Sequence, residues 1–233
     1  MFHFISFCEG TQTYKDALHR ISNQAKSLNL FNVETYTGND LKEDTSFWEK
    51  NGTFVLNNQR GYGYWLWKPY LILKKLQSIK ENEIILYCDC GCEIDIRKKN
   101  KIEQMLKDVE TCEIICNTTH GEIAWTKRDL LIYLNMDNEN VLKQSQYEAT
   151  SICIKKCEKT MKFVQEWYDT ACIHNLLDDS PSKNTNYPEF IEHRHDQSIF
   201  SLLKKKYYHD NGIRISTIIE LSRNRSGNSN IRY

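Results

Sequence analysis

Three carboxylates, Asp89, Glu93 and Asp95, stand just beyond the short apolar run Glu83-Ile-Ile-Leu-Tyr87. Such a run predicts a buried strand, and open α/β sheets bind ligands beyond the C-terminal ends of their strands. Acids gathered there make a hard-oxygen site suited to Mg2+ or Mn2+. One acid ending a strand could merely cap a turn, and the crowding by Glu93 and Asp95 favours the metal. A second stretch, Arg60-Gly-Tyr-Gly-Tyr-Trp-Leu-Trp-Lys-Pro69, is aromatic and glycine-hinged. Gly61 and Gly63 allow close approach of backbone to a ligand, and Arg60 and Lys68 bracket the loop with cations suited to phosphate. A third stretch is His193-Arg194-His195-Asp196-Gln197, with Asp196 a candidate helix N-cap. Its HxH pair could bind metal. A zinc-hydrolase pattern would continue HxHxDH, but here the aspartate comes one position early and Ser198 replaces the last histidine.

The elements that must position these residues follow from periodicity. Phe2 to Cys8 predicts a first strand, Tyr14 to Leu28 a helix with Leu18, Ile21, Ala25 and Leu28 on one face, and Asn32 to Tyr36 a second strand. This βαβ opening points to a parallel sheet with helices on its faces. A short helix is expected over Asp40 to Glu49. Pro69 suits the first position of a helix running to Leu76. Further helices are expected over Lys99 to Val109, after Thr126 as N-cap, over Cys157 to Leu177, and from the His193 motif to Lys205. Thr111 to Cys116 and Gln146 to Ile154 read as strands. The polar stretch Asp178 to Asn186 reads as a mobile lid loop, and residues 224–233 as a loose tail.

The chain has 233 residues, 40% of them hydrophobic, so one domain with a substantial core is expected. Its 31 basic and 31 acidic residues cancel, which argues against a nucleic-acid partner. No apolar run approaches the roughly 20 residues of a membrane span, and the N-terminus lacks the basic start of a secretory signal, so a cytoplasmic protein is expected. Nine cysteines in such a protein read as small buried hydrophobes. The CxCxC of Cys88, Cys90 and Cys92 would put three thiols on one strand face, unlike the CxxC pairs of zinc sites.

Taken together, the Arg60–Pro69 stretch, Tyr87-Cys-Asp89-Cys-Gly91-Cys-Glu93, Trp125-Thr-Lys127-Arg-Asp129, Gln146 and His193-Arg-His-Asp-Gln-Ser-Ile-Phe-Ser201 resemble a small GT-A-type glycosyltransferase. The group concerned is found in large DNA viruses and in bacterial polysaccharide gene clusters. The resemblance implies an α/β, GT-A-like fold with a Rossmann-like, mostly parallel sheet and helices on both faces. It implies transfer of a sugar from a UDP- or GDP-sugar to a hydroxyl of a glycan or glycoprotein, with retention and with Mn2+ or Mg2+ as cofactor; the compartment would be the host cytoplasm if the source is viral. Asp89 would match the first aspartate of the DxD metal motif, whereas Gly91 stands where the second usually is, so Glu93 or a water would complete the shell. Asp196 and Gln197 would face the donor sugar, with Gln146 beside them in the catalytic set. Phe7, Cys8, Tyr14, Arg60, Tyr64, Lys68, Gly91 and His195 would line the donor, and Trp125, Lys127 and His193 the acceptor side. Two other classes fit the same residues: a non-catalytic nucleotide- or sugar-binding protein of this fold, and a metal-dependent phosphohydrolase.

Overall fold

The computed structural model describes residues 1–208, 219–220 and 224–231. The opening unit is β1 (Phe2–Cys8), α1 (Gln12–Ser27) and β2 (Phe31–Thr37), followed by α2 (Gly38–Glu43) and α3 (Thr45–Asn57). The aromatic stretch forms a short left-handed turn, α4 (Gly61–Tyr64), and feeds α5 (Trp67–Ser78) and then β3 (Ile84–Cys88). Next come β4 (Glu93–Ile94), α6 (Lys99–Cys112), β5 (Ile114–Gly121), α7 (Glu122–Trp125), α8 (Arg128–Tyr133) and α9 (Glu139–Leu142). The chain closes with β6 (Ser145–Lys155), α10 (Glu158–Ala171), α11 (His174–Leu177), α12 (His195–Tyr207) and β7 (Ile219–Glu220).

Five strands form the main sheet in the order β2-β1-β3-β6-β5. β1 pairs in parallel with β2 and β3, whereas β6 runs antiparallel to both β3 and β5. Four strands therefore share a direction and one opposes them, which is the mostly parallel α/β sheet the sequence predicts. Alternation along β1 and β3 explains why helices cover both faces. Ile5, Phe7, Ile85 and Tyr87 enter a core with residues of α3, α5, α10 and α12, and Phe4, Ile84, Leu86 and Cys88 enter another with residues of α1 and α6.

Several expected boundaries move. The α5 helix begins at Trp67, two residues before Pro69, whose missing N–H still falls among the unbonded donors of the first turn. The expected 40–49 helix is two helices parted at Asp44, whose carboxylate caps Phe47 N–H. The expected 157–177 helix breaks at Ile173. Lys127, not Thr126, occupies the N-cap of α8, because the Thr126 hydroxyl donates to Glu122. The three thiols of CxCxC do not share a face, because β3 ends at Cys88 and the chain turns, with Cys92 N–H on the Asp89 carbonyl. Cys88 and Cys92 join the α1/α6 core, while Cys90 packs with Cys8 and Leu18. Among the described residues, no helix is long and apolar enough to cross a membrane.

Candidate functional site

The strand period carries the side-chain direction of Tyr87 on to Asp89, which emerges at the C-terminal edge on the α5/α12 side. Its backbone N–H bonds the Thr150 carbonyl of β6 at 2.9 Å, and its Oδ1 accepts the Tyr87 hydroxyl. Lys68, in the first turn of α5, lies beneath it. The Lys68 Nζ sits 3.3 Å from Asp89 Oδ1, 3.1 Å from Asp196 Oδ2 and 3.2 Å from the Ala149 carbonyl. Three acceptors thus surround an ammonium that has three protons and is buried. Lys68 is therefore placed under the site, tying three elements together, rather than open to a donor phosphate. Burial alone would depress its pKa, but Asp196 and Asp89 outweigh burial and raise it.

Asp196 does not cap its helix; Arg194 holds that position. His195 enters α12 with φ +52°, and the Asp196 carbonyl accepts the Trp167 indole N–H at 2.9 Å. These constraints push the buried Asp196 carboxylate toward Lys68. Burial raises its pKa to about 6, against the pull of Lys68 and with added repulsion from Asp89. Gln197, half-buried, donates from Nε2 to Gln146 Oε1 at 2.7 Å and accepts Ala149 N–H at 3.4 Å. The structure therefore brings Asp89, Lys68, Asp196, Gln197 and Gln146 together.

No family model and no curated protein matches the sequence. Among solved structures, the fold is similar to a glycosyltransferase involved in the glycosylation of the major capsid of PBCV-1, with TM-score 0.41 and 11% identity over 72% of this chain and 65% of that one. It is also similar to mouse xyloside xylosyltransferase 1 in its apo form (TM-score 0.44, 10% identity, 88% of this chain and 82% of that one). A third is the apo glycosyltransferase GlyE of Streptococcus pneumoniae TIGR4 (TM-score 0.37, 12% identity, 91% of this chain and 45% of that one). All three are glycosyltransferases. This chain spans just under two thirds of the viral enzyme's length and under half of GlyE's. What the site can do rests on its own geometry.

The aromatic stretch owes its shape to strain. Residues 61–65 all have positive φ, between 52° and 82°, a conformation that costs a non-glycine residue about 1–2 kcal/mol. A Cβ on Gly61 would lie 2.5 Å from the Trp65 ring, and one on Gly63 2.8 Å from Val55. The glycines thus admit close packing within the protein, not the approach to a ligand expected of them. The turn stacks Trp67 on Phe7 (centroids 3.9 Å apart) and sets Tyr64 and Trp65 against His195 (4.8 and 5.4 Å).

The two histidines brace α11. His193 Nδ1 accepts Lys127 N–H at 3.2 Å, and its Nε2 lies 2.9 Å from the Leu176 carbonyl. His195 Nδ1 lies 2.8 Å from the next carbonyl, Leu177. Burial lowers both pKa values, His193 the more strongly. Lys127 is buried against Asn175 O (3.1 Å), Ser180 Oγ (3.4 Å) and Asp178 Oδ1 (3.5 Å), and Asp129 accepts the N–H groups of Lys183 and Asn184 at 2.7 and 2.8 Å. These two residues fasten the 178–186 loop. Arg60 adds a 2.9 Å ion pair to Asp179 and a contact to Glu192. Arg60, Lys127 and His193 are therefore engaged with the protein itself. Trp125 carries the Arg194 guanidinium 4.0 Å from its ring centroid.

At the opposite flank, Phe7 and Cys8 end β1. Cys8 is buried, which pushes its thiol up to about 11, and it packs beside Tyr14. Glu9 follows, its Oε2 accepting Gly38 N–H at 2.8 Å from the end of β2. The Gly91 carbonyl accepts Asn224 N–H at 3.2 Å.

The acidic cluster comes apart in three dimensions. Glu93 is wholly buried and accepts from Asn224 Nδ2, Ser229 Oγ, and the backbone N–H groups of Asn230 (2.9 Å) and Ile231 (3.4 Å). Burial opposes its charge, but these bonds hold its pKa below the usual carboxylate range. Residues 224–231 of the expected 224–233 loose tail supply these contacts; positions 232–233 lie outside the described residues. Asp95 is clamped by Arg97 at 2.8 Å. Glu93 therefore does not fit the metal-ligand role read from its spacing. Among the described residues no three metal-ligating side chains converge. Asp89 does fit a hard cation, since Mg2+ sites often use a single protein carboxylate. Its side chain is 33% exposed, and Lys68 and Tyr87 both approach it on Oδ1. Glu122, Ser201 and Lys205, which support Gln146 from below, carried no local sequence signal.

Proposed function

We propose that this chain is a glycosyltransferase that moves a sugar from a UDP- or GDP-sugar to a hydroxyl of a glycan or glycoprotein, in the cytoplasm and with retention. The observation that carries the reading is the convergence of Asp89, Asp196 and Gln197 over buried Lys68 at the C-terminal edge of a mostly parallel sheet. A ligand held there meets surplus negative charge on one side and an oriented amide on the other. In the reaction the anomeric C–O bond to the diphosphate breaks, the acceptor oxygen bonds the same carbon, and the acceptor proton passes to the departing diphosphate oxygen. The sugar carbon becomes oxocarbenium-like, so a carboxylate and a carbonyl oxygen close to it stabilise developing positive charge. Asp196 accepts sugar hydroxyls, Gln197 lies by the anomeric carbon, and Lys68 keeps Asp89 and Asp196 in register. Mn2+ or Mg2+ on Asp89 would supply neutralisation of the departing diphosphate. The nucleoside would lie over Phe7, Cys8 and Tyr14, and the 178–186 loop would shield the site from water.

A thermal-shift panel of UDP- and GDP-sugars, with and without Mn2+, tests this. The expected result is a Mn2+-dependent rise in melting temperature with one nucleotide class, followed by nucleotide release on adding acceptor. Binding without turnover would reduce the chain to a nucleotide-sugar-binding protein, and release of free phosphate would make it a phosphohydrolase.

A further inference from the structure

Beneath Gln197 lies a closed polar network that the reaction does not touch. Glu122, at the start of α7, is wholly buried, and four donors converge on its two oxygens. Oε1 accepts the Thr126 hydroxyl at 2.6 Å and Gln146 Nε2 at 3.2 Å; Oε2 accepts the Ser201 hydroxyl at 2.6 Å and the Lys205 ammonium. The hydroxyl directions are forced. Ser201 Oγ already accepts Tyr147 N–H and Lys205 Nζ, each at 2.9 Å, so its single proton must go to Glu122.

Gln146, also wholly buried, is the next link. The two ends of a glutamine amide are told apart only by their partners. One end of Gln146 faces Glu122 Oε1 and the Trp125 carbonyl (3.3 Å), which can only accept, so that end must be Nε2. Its Oε1 must then face Gln197, which must present Nε2 to it and turn its own Oε1 toward Ala149 N–H.

We infer that Glu122 is a positioning residue: with the Trp125 carbonyl it sets the Gln146 amide, and through Gln146, together with Ala149 N–H, it fixes which way the Gln197 amide faces. Lys205 pairs with Glu122 without drawing on any group of the site. This deepens the glycosyl-transfer reading, on which it rests in placing Gln197 beside the donor sugar. A polarity fixed from inside the protein leaves Gln197 oriented before any substrate arrives, so no reorientation is needed during the reaction.

The test uses the full chain labelled with 15N-glutamine. In the parent protein the Gln146 side-chain amide protons should exchange slowly with solvent, and Gln197 should give one sharp amide pair. The charge-compensated Glu122→Gln/Lys205→Met variant removes the Glu122 carboxylate's part in that polarity without stranding a buried ion, the Trp125 carbonyl and Ala149 N–H remaining. It should keep a near-parental melting temperature while the Gln197 pair shifts and broadens. With UDP-glucose and GDP-mannose as probes and Mn2+ present, kcat for nucleotide release should fall about tenfold with KM unchanged, the split expected of lost orientation rather than lost binding. Gln197 resonances that coincide with the parent's would overturn the inference. If the variant does not fold, fast exchange of Gln146 in the parent overturns it equally. If the parent releases neither nucleotide, the glycosyl-transfer reading fails for those donors, and the resonances still decide the relay.

Discussion

Lys205 and Lys68 each hold carboxylates with a buried side chain, and they are balanced differently. Lys205 faces one acid, Glu122, whose four acceptor positions are all filled. Lys68 faces two, Asp89 and Asp196, so its cluster carries one negative charge in surplus. Asp196 Oδ2, although ion-paired at 3.1 Å, accepts no hydrogen bond of good geometry. The pKa directions follow: burial lowers Lys205 against a single counter-charge, whereas two counter-charges raise Lys68. A neutral, saturated network rigidifies a core. A surplus charge left partly unsatisfied at a sheet edge marks a place where a ligand can complete the set.

The comparison makes its largest prediction at Glu122. Glu122→Gln strands Lys205 as an unpaired buried cation and should cost about 3–5 kcal/mol in urea unfolding at neutral pH. Asp196→Asn only takes the Lys68 cluster from net −1 to neutral, so its cost should stay under about 1 kcal/mol. Equal losses would break the distinction between the two lysines.

Lys68→Met comes next. It leaves two acids facing each other in a buried site and should destabilise by about 3 kcal/mol at pH 8. Adding Asp196→Asn should recover most of that loss, which a double-mutant cycle measures directly. The pH dependence of the parent gives a companion reading. Because the Asp196 pKa is raised to about 6 in the folded chain, the native state holds a proton between about pH 4 and 6 that the unfolded chain has released. Its contribution to stability therefore falls as pH rises through that window and is flat above it. Asp196→Asn should abolish this slope.

For the open site, a nucleotide sugar at a hundred times its dissociation constant with Mn2+ should add about 2.7 kcal/mol of stability. Asp89→Asn should remove the Mn2+-dependent part, and Glu93→Gln should leave it intact, since the Glu93 oxygens serve residues 224–231. A loss of Mn2+ dependence in the Glu93 variant would return Glu93 to the metal shell.

The smallest expected energy concerns turnover. Asp196→Asn should slow transfer at least about tenfold while leaving the affinity for the bare nucleotide near normal, because a charged hydrogen bond to the sugar is worth roughly 1.5–3 kcal/mol. Near-normal turnover would make Asp196 a mere counter-charge for Lys68.

Much of this was legible in the order of residues. The apolar run before Asp89 dictates a strand buried on both faces, and a strand that ends on an acid delivers that acid to the edge where parallel sheets bind ligands. The opening βαβ unit, the helices and the polarity of the 178–186 loop follow from local periodicity and turn chemistry, which act over a few residues. Partner choice was not legible. Glu93 looked like a metal ligand because sequence spacing measures distance along the chain, and its partner Asn224 lies 131 positions away. Lys68 looked like a phosphate ligand because a lysine beside aromatic residues carries the same signal whether its ammonium reaches solvent or two buried acids. Glu122 and Lys205 gave no signal, since a carboxylate and an ammonium 83 residues apart become a pair only when β5 and α12 pack against β6. Local sequence set the elements and the acid at their edge; tertiary packing alone decided which charges were spent inside the protein and which were left for a ligand, because that depends on what each group meets when water is removed.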